Sequence, residues 1–449
     1  ARVLDAAGKH VTAGIIDCHS HTGISKGVNE GGQAVTAEVR IADVTEPDDI
    51  NWYRQLAGGV TAVNNLHGSA NAIGGQSQTN KLRWGVAHPD DMHFEGAKPG
   101  IKFALGENPR QVNRGPGSTA SSRYPQTRMG VETLIRDRFT AAKEYDAGSG
   151  KVAKGQSGKV TASLGSSTPP LRRDLELEAL AEILRGDRIV HCHSYRQDEI
   201  LMLTQVARDF KFKIGTFQHI LEGYKVADYV RDYSGGGSAF ADWWAYKVEV
   251  QDAIPEGPPL MHDVGAVVSY NSDSDELARR MNVEAAKAVK YGNLSEEDAL
   301  KFVTLNPAKQ LQVDKMVGSL EVGKDADFAV WSSSPLSTLA RCEATYIDGR
   351  CYFSLEQDAA ARETIAKERQ RLIQKLLAEG KDGRAAGAGR PGREGRGGEK
   401  PDDSKETTPP SDALLDAESQ ARWDYFLDLY NRGKGPNDIP GLCGCGLVH

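Results

Sequence analysis

Short apolar runs alternate with amphipathic helical segments along most of the chain, and this alternation constrains the fold more than any other feature. The apolar runs lie at residues 14–19, 59–63, 80–84, 100–105, 188–193, 213–218 and 266–270. Strand–helix–strand spacing of this kind is typical of a parallel sheet with crossover helices. Enough units are present to close a cylinder, so the sequence predicts an α/β fold, a (β/α)8 TIM barrel over residues 15–316.

The segments outside the barrel predict smaller units. Residues 317–355 change to short strands and predict a small β element appended after the barrel. Residues 356–380 are charged and amphipathic and predict a helix. Residues 381–412 have too few apolar side chains to form a core and predict a disordered linker. Residues 413–449 form a C-terminal tail with one amphipathic helix.

Charge and hydropathy exclude two classes of partner. The chain of 449 residues has 55 Lys and Arg against 62 Asp and Glu, a net charge of −7. Without a basic stripe, this balance argues against nucleic-acid binding, and no apolar stretch reaches the roughly 18 residues of a membrane span. We therefore expect a soluble protein that acts on a small molecule. The sequence, which lacks an initiator Met, leaves a cytoplasmic, periplasmic or secreted location open, and it leaves a homo-oligomer open as well.

Histidines are concentrated at the ends of the predicted strands. His19 and His21 follow the first strand at a spacing of two, which places both imidazoles on one face. His191 and His193 repeat this spacing, and His219 and Asp273 follow two further strands. Barrel enzymes place their sites at these strand ends. One such residue alone is usually a buried structural residue, but the repetition predicts a metal site for one or two ions, with Zn²⁺ the first choice and Mn, Fe or Ni as alternatives.

Lys102 lies inside the apolar strand at residues 100–105. Burial disfavours an ammonium group and lowers its pKa, unless the lysine is ion-paired or extends its head group to solvent. A neutral amine at this position can react with CO₂ to form a carbamate, whose two oxygens can bridge two metal ions. The sequence therefore predicts a carbamate on Lys102, with a salt bridge as the alternative.

Two motifs resemble those of the amidohydrolase superfamily. Residues 13–21, Ala-Gly-Ile-Ile-Asp-Cys-His-Ser-His, resemble its first-strand motif, and residues 317–328 resemble its return from the barrel to the small β-sandwich. The similarity covers residues 2–353 and is strongest to the imidazolonepropionase-like and prolidase-like branch. The resemblance implies a metal-dependent hydrolase with a small β-sandwich domain, formed by the returning strands at residues 317–355. Residues 1–14 are then expected to be a remnant of an N-terminal strand of that sandwich, with most of its other N-terminal strands absent from this sequence. A Gly/Ser/Lys-rich stretch at residues 148–170 is interpreted as an insertion.

The resemblance also implies a set of metal ligands: two His on strand one, a carboxylated Lys on strand four, one His on each of strands five and six, and an Asp on strand eight. These positions correspond to His19, His21, Lys102, His191, His219 and Asp273. His191 is preferred to His193 because related members place the ligand first, so His193 would face the substrate. Glu107 is an alternative ligand if Lys102 does not bind metal.

The implied reaction is hydrolysis of an amide C–N bond by metal-bound hydroxide, in a non-peptide or dipeptide-like amide, a lactam or an N-acyl amino acid. Asp273 would act as general acid and base. His193 and Tyr195 would stabilise the developing oxyanion. The loop at residues 68–76 would bring Asn71 and Gln76 to the substrate.

Two alternatives remain open at this point. The first is a mononuclear imidazolonepropionase-type hydrolase or deaminase of a heterocycle, in which Lys102 is unmodified. Deaminases of the superfamily usually carry His-x-x-Glu after strand five, whereas the third residue beyond His191 is Ser194. The second is a catalytically inactive barrel that serves as a binding protein.

Overall fold

The structure is a computed structural model that describes residues 3–25, 27–110, 123–155, 172–243 and 246–386. Within these ranges, the chain up to Ser354 forms one compact unit, and a second unit begins at Leu355. Most of the expected insertion, nearly all of the expected linker and the whole C-terminal tail lie outside the described residues.

A barrel is the main element of the first unit, and it confirms the expected fold class. Strand β1 (His10–Ala13) precedes it. Eight strands then pair in chain order into a nearly closed barrel: β2 (Ile15–Ser20), β3 (Val60–Asn65), β4 (Ile73–Lys81), β5 (Gly100–Ala104), β6 (Ile189–His193), β7 (Ile214–Gln218), β8 (Gly237–Ala239) and β9 (Val268–Tyr270).

Strand β4 differs from the expectation in position and direction. The sequence predicts a strand at 80–84, but β4 spans Ile73–Lys81 and runs antiparallel to both β3 and β5. Only residues 66–72 connect β3 to β4, and a parallel crossover needs about a dozen residues or more. Residues 73–76 of the predicted loop therefore belong to a strand. Gly74 permits this path, because a Cβ there would lie 2.7 Å from Nδ1 of His67.

Helices cover the outside of the barrel. They are α1 (Ile50–Leu56), α2 (Arg128–Gly155), α3 (Leu175–Arg185), α4 (Gln197–Phe210), α5 (Ala227–Tyr233), α6 (Gly257–Asp263), α7 (Met281–Gly292), α8 (Glu296–Lys301) and α9 (Leu305–Gln310). Helix α3 shows how the sequence sets such an element: the Asp174 carboxylate caps its start, Gly186 ends it in a left-handed conformation, and its apolar face is buried. The described helices include none with the length and apolar character of a membrane span.

A small antiparallel sheet completes the first unit. Its order is β1, β10 (Phe328–Trp331), β11 (Cys342–Ile347) and β12 (Arg350–Ser354). Residues from both ends of the unit therefore share one sheet, with His10 opposite Trp331. Among the described residues this appended domain is a single four-stranded sheet.

The second unit contains helix α10 (Leu355–Ala386). It is longer than the helix expected at 356–380, so the first residues assigned to the linker are helical. Side chains four residues apart form ion pairs along it, including Arg362 with Asp358 and Lys367 with Glu363. Such pairs support a helix whose faces are mostly polar.

Lys81 ties the end of β4 to the small sheet. Its ammonium is 2.8 Å from Asp325, 3.0 Å from Asp327 and 2.6 Å from Asp348. Lys81 and Asp327 are both only 1% exposed. Burial acts to lower the pKa of Lys81, but the carboxylates outweigh it and raise the pKa. Because a buried charge is tolerated only with its partners, this cluster holds the two parts of the unit together.

We predict that Lys81→Met lowers the free energy of unfolding by about 3–5 kcal/mol, because Asp327 then stays buried without its cation. Urea unfolding measures the change. Adding Asp327→Asn to this variant should restore part of the loss, and Lys225→Met, which breaks a more exposed pair, should cost less than about 1 kcal/mol. A loss below 1 kcal/mol for Lys81→Met would contradict this role.

Candidate functional site

The first strand of the barrel carries two histidines into the barrel mouth. His19 lies at the end of β2, His21 lies just beyond it, and their Nε2 atoms are 3.3 Å apart. Asp273, which follows β9, places Oδ1 3.0 Å from Nε2 of His21 and 3.5 Å from Nε2 of His19. The barrel thus brings the first and last strand ends together.

His219, which follows β7, is the third imidazole of this cluster. Its Nε2 is 3.2 Å from Oδ2 of Asp273, and its ring lies 4.3 Å from the ring of His19, centroid to centroid. The ring of Phe240 stacks on its other side. Ligand atoms of His19, His219 and Asp273 all lie within 4.8 Å of one another, a spacing compatible with one shared ion.

The tautomer of His21 shows that acceptor atoms converge in the cluster. Its Nδ1 is 2.8 Å from the carbonyl oxygen of Leu66. A carbonyl can only accept, so Nδ1 donates its proton there, and Nε2 is the ring nitrogen that faces Asp273. Apart from the neighbouring imidazoles, the carboxylate of Asp273 has no hydrogen-bond donor among the described residues. Imidazole nitrogens gathered around a carboxylate form a donor set suited to a divalent cation.

Burial sets the protonation states that metal binding requires. It lowers the pKa of His19, His193 and His219, which keeps these imidazoles neutral. Burial acts to raise the pKa of Asp273, but its interactions with His19 and His219 and the hydrogen bonds from the neighbouring imidazoles outweigh it and hold the pKa well below its usual value. An ionised carboxylate therefore lies among the imidazoles.

The backbone is strained at two of these residues. His219 has a φ of 54° and Asp273 a φ of 46°, both in the left-handed region that residues other than glycine rarely adopt. Such conformations persist where the surrounding structure enforces them, and they are concentrated at functional sites. At Asp273, part of that enforcement is a backbone hydrogen bond, in which its N–H donates to the carbonyl of His19 at 3.1 Å.

Asp17 forms hydrogen bonds with the backbone on both sides of the cluster. Its carboxylate accepts hydrogen bonds from the N–H of His19 at 3.2 Å and from the N–H of Ser272 at 3.1 Å. The Ser272 hydroxyl donates a third bond at 2.5 Å. Asp17 is fully buried, and this burial raises its pKa to about 7. It therefore positions both His19 and the residue that precedes Asp273.

Lys102 lies beside the cluster on β5. Its Nζ is 3.0 Å from Nε2 of His19, and the residue is only 1% exposed. Burial lowers its pKa to about 8. A substantial neutral fraction is thus accessible near neutral pH, as the sequence-based hypothesis of a carbamate requires.

The two histidines of β6 lie at different levels along the barrel. His191 pairs in register with Lys102, and its imidazole occupies the space above Gly100, where a Cβ would lie 3.0 Å from Nε2 of His191. His193 is two residues nearer the carboxyl end, and its ring centroid lies 5.3 Å from that of His219. The structure therefore places His193, rather than His191, next to His219.

The other residues named from the sequence differ in whether they lie beside the cluster. Tyr195 lies edge-on to His193 at 4.5 Å, and its hydroxyl accepts a hydrogen bond from that of Tyr246. The amide of Asn71 donates to the carbonyls of Glu30 and Gln33, and the amide of Gln76 donates to the carbonyl of Ala37. Glu107 lies 3.4 Å from Lys247. Only Tyr195 of this group is adjacent to the cluster.

Sequence reasoning missed three residues that shape the site. Asp17 stands inside the first-strand motif but received no role. Asn108, whose amide lies 3.4 Å from Nε2 of His193, and Lys247 lie in irregular segments, where no periodicity marks them.

Comparisons with known proteins identify a family for most of the chain. Residues 10–356 match the model of the amidohydrolase family. The amidohydrolase tasK of Hapsidospora irregularis is 32% identical over 379 residues, covering 79% of this chain. The crystal structure of an amidohydrolase from Thermotoga maritima superposes with a TM-score of 0.70 at 32% identity, covering 79% of this chain and 90% of that one.

A shorter similarity links the chain to imidazolonepropionase. The enzyme of Picrophilus torridus is 46% identical over 65 residues, which is 14% of this chain and 16% of that protein. The chain spans 37% of the length of tasK.

We predict that Asp17→Asn changes the pH dependence of stability in the metal-free protein. An unfolded Asp titrates near pH 3.9 and folded Asp17 near about 7. Between these values only the folded state binds the proton, so the free energy of unfolding falls as pH rises, by at most about 1.4 kcal/mol per unit. Urea unfolding from pH 4.5 to 7.5 should show this slope in the wild type and its reduction in the variant. Equal slopes would contradict the raised pKa.

Proposed function

We propose a function for this chain from one premise, which is that it belongs to the amidohydrolase family. The chain is thus a hydrolase of C–N bonds. Within that class, we propose that it cleaves an amide bond, in a non-peptide or dipeptide-like amide, a lactam or an N-acyl amino acid. The observation that supports a working site, and argues against an inactive barrel, is the convergence of buried imidazole nitrogens on the carboxylate of Asp273.

The cluster fits a divalent cation, and zinc is the first choice for its nitrogen and oxygen donors. The residues that would hold it are His19, His21, His193, His219 and Asp273, with His193 taking the place expected for His191. A cation held there would polarise the scissile carbonyl and lower the pKa of water.

Lys102 would complete a second metal position as a carbamate. Its neutral amine would form an N–C bond to CO₂ and release one proton, which gives an anionic group with two oxygens. The lowered pKa of Lys102 supports this step, because only the unprotonated amine reacts. The 3.0 Å contact between Nζ of Lys102 and Nε2 of His19 supports a position for this group beside the cluster.

Asp273 is the general acid and base in this proposal. Its carboxylate is ionised and buried among neutral imidazoles, so it can accept a proton from the attacking water. It can then deliver that proton to the leaving nitrogen. Transfers of this kind typically contribute about 10²–10⁴ in rate.

Tyr195 is placed to stabilise the oxyanion that forms on the substrate carbonyl. Its own hydroxyl proton is free for this purpose, because its oxygen accepts from Tyr246 at 3.1 Å. Burial raises the pKa of Tyr195, so the hydroxyl remains a donor.

A substrate panel tests the function. We expect release of amine, or lactam ring opening, from at least one of a set of N-acyl amino acids, dipeptides and lactams, with loss of activity after chelation and recovery with zinc. Ammonia release from aminated heterocycles alone would support the deaminase instead. Asp273→Asn should lower kcat by at least about 10²-fold.

Metal stoichiometry tests the ligand set. We predict about two equivalents of metal per wild-type chain and one or none for Lys102→Ala, measured by plasma mass spectrometry. Lys225→Ala, which removes a lysine paired with Asp252, serves as the control. An unchanged metal content in Lys102→Ala would contradict the carbamate.

The same measurement compares the two histidines of β6. His193→Asn should lose metal, whereas His191→Asn should retain it, because only His193 lies against His219. The opposite result would restore His191 as the ligand.

A further inference from the structure

Lys247 is a buried ammonium with unusually distant partners. Its side chain is only 3% exposed, and Nζ lies 3.4 Å from Glu107, 3.6 Å from Glu249 and 3.4 Å from Oδ1 of Asn108. Charge-assisted hydrogen bonds are usually about 2.7–2.9 Å long. The described residues therefore give this ammonium no hydrogen bond of the usual charge-assisted length.

Other lysines of the chain have closer partners. Lys81, although equally buried, reaches a carboxylate at 2.6 Å, Lys225 at 2.5 Å and Lys287 at 2.7 Å. Lys247 differs from them in being both desolvated and loosely coordinated. A group in that condition gains from an additional acceptor.

The position of Lys247 connects it to the reaction site. Its Nζ lies 4.5 Å from the ring centroid of Tyr195. Asn108, which accepts from Lys247, approaches Nε2 of His193 with its amide nitrogen at 3.4 Å. The ammonium is thus one side chain away from a proposed metal ligand and against the proposed oxyanion donor.

A purely structural role as counter-ion of Glu249 does not account for Lys247. Glu249 already pairs with Arg128 at 3.1 Å and accepts a hydrogen bond from the N–H of Glu107 at 3.1 Å. The ion pair with Arg128 offsets part of the negative charge that an incoming anion would meet near Lys247.

We propose that Lys247 binds a carboxylate of the substrate, which makes the substrate an N-acyl amino acid or a dipeptide rather than a neutral amide or lactam. This inference rests on the proposed function, because it assumes that the amide bond is cleaved at the neighbouring cluster. The carboxylate would take the place of the distant contacts of Lys247, and it would set the orientation of the amide relative to Tyr195 and Asp273.

Matched substrates test the inference. Each N-acyl amino acid and dipeptide is assayed against its own C-terminal carboxamide, which keeps the amide bond and removes the charge. A hydrogen bond to a charged group contributes about 1.5–3 kcal/mol, so the wild type should prefer the acid by roughly 10- to 150-fold in kcat/KM. Lys247→Met should lose this preference, mainly through a higher KM for the acid.

Control variants separate substrate binding from folding. Lys247→Arg keeps the positive charge and should retain most of the preference, and Lys225→Met should behave as wild type. Loss of activity toward acid and carboxamide alike in Lys247→Met and Lys247→Arg would show a structural role and overturn the inference. If the wild type hydrolyses the carboxamide or a lactam with the same kcat/KM as the acid, the inference about Lys247 is overturned. The proposed function would still stand in that case. Failure of every panel member would overturn the proposed function itself.

Discussion

The close approach of lone pairs around Asp273 is the constraint on which the site depends. The Nε2 atoms of His19, His21 and His219 all lie within 3.5 Å of its carboxylate, and burial lowers the pKa of His19 and His219. Acceptors held this close repel one another unless a proton or a cation lies between them. The fold therefore has to hold them, and it does so with left-handed backbone at His219 and Asp273 and with the hydrogen bonds of Asp17.

The barrel explains how residues far apart in the sequence meet. Parallel strands direct their carboxyl ends to one mouth, so each residue after a strand end joins the same small volume. Strand β4 runs the other way and contributes none of the proposed metal ligands. Its role is structural: it carries Lys81 to the carboxylates that hold the small sheet.

Much of the site could be predicted from the sequence. His19, His21, His219 and Asp273 follow apolar runs, and the two-residue period of a strand places the first pair on one face. Lys102 was predictable because a lone lysine in an apolar strand is conspicuous. The choice between His191 and His193 was not, since both lie on the same face and only the neighbouring strand shows which is level with His219. That assignment remains a proposal.

Other features left no local signal. Strand β8 is the tripeptide Gly-Ser-Ala, which has no β-branched or aromatic residue to mark it. The direction of β4 follows from a short connection rather than from its composition. Lys247 and Asn108 lie in irregular segments, so their approach to the cluster depends wholly on tertiary packing. Residues of this kind are the ones that the pattern of strands and helices does not reveal.

Anomalous X-ray scattering from crystals grown with zinc, recorded on both sides of the zinc absorption edge, is the most direct test of the central claim. The account predicts a peak among His19, His21, His219 and Asp273, at ligand distances of about 2.0–2.2 Å. A zinc-loaded crystal whose anomalous peaks all lie elsewhere would contradict it.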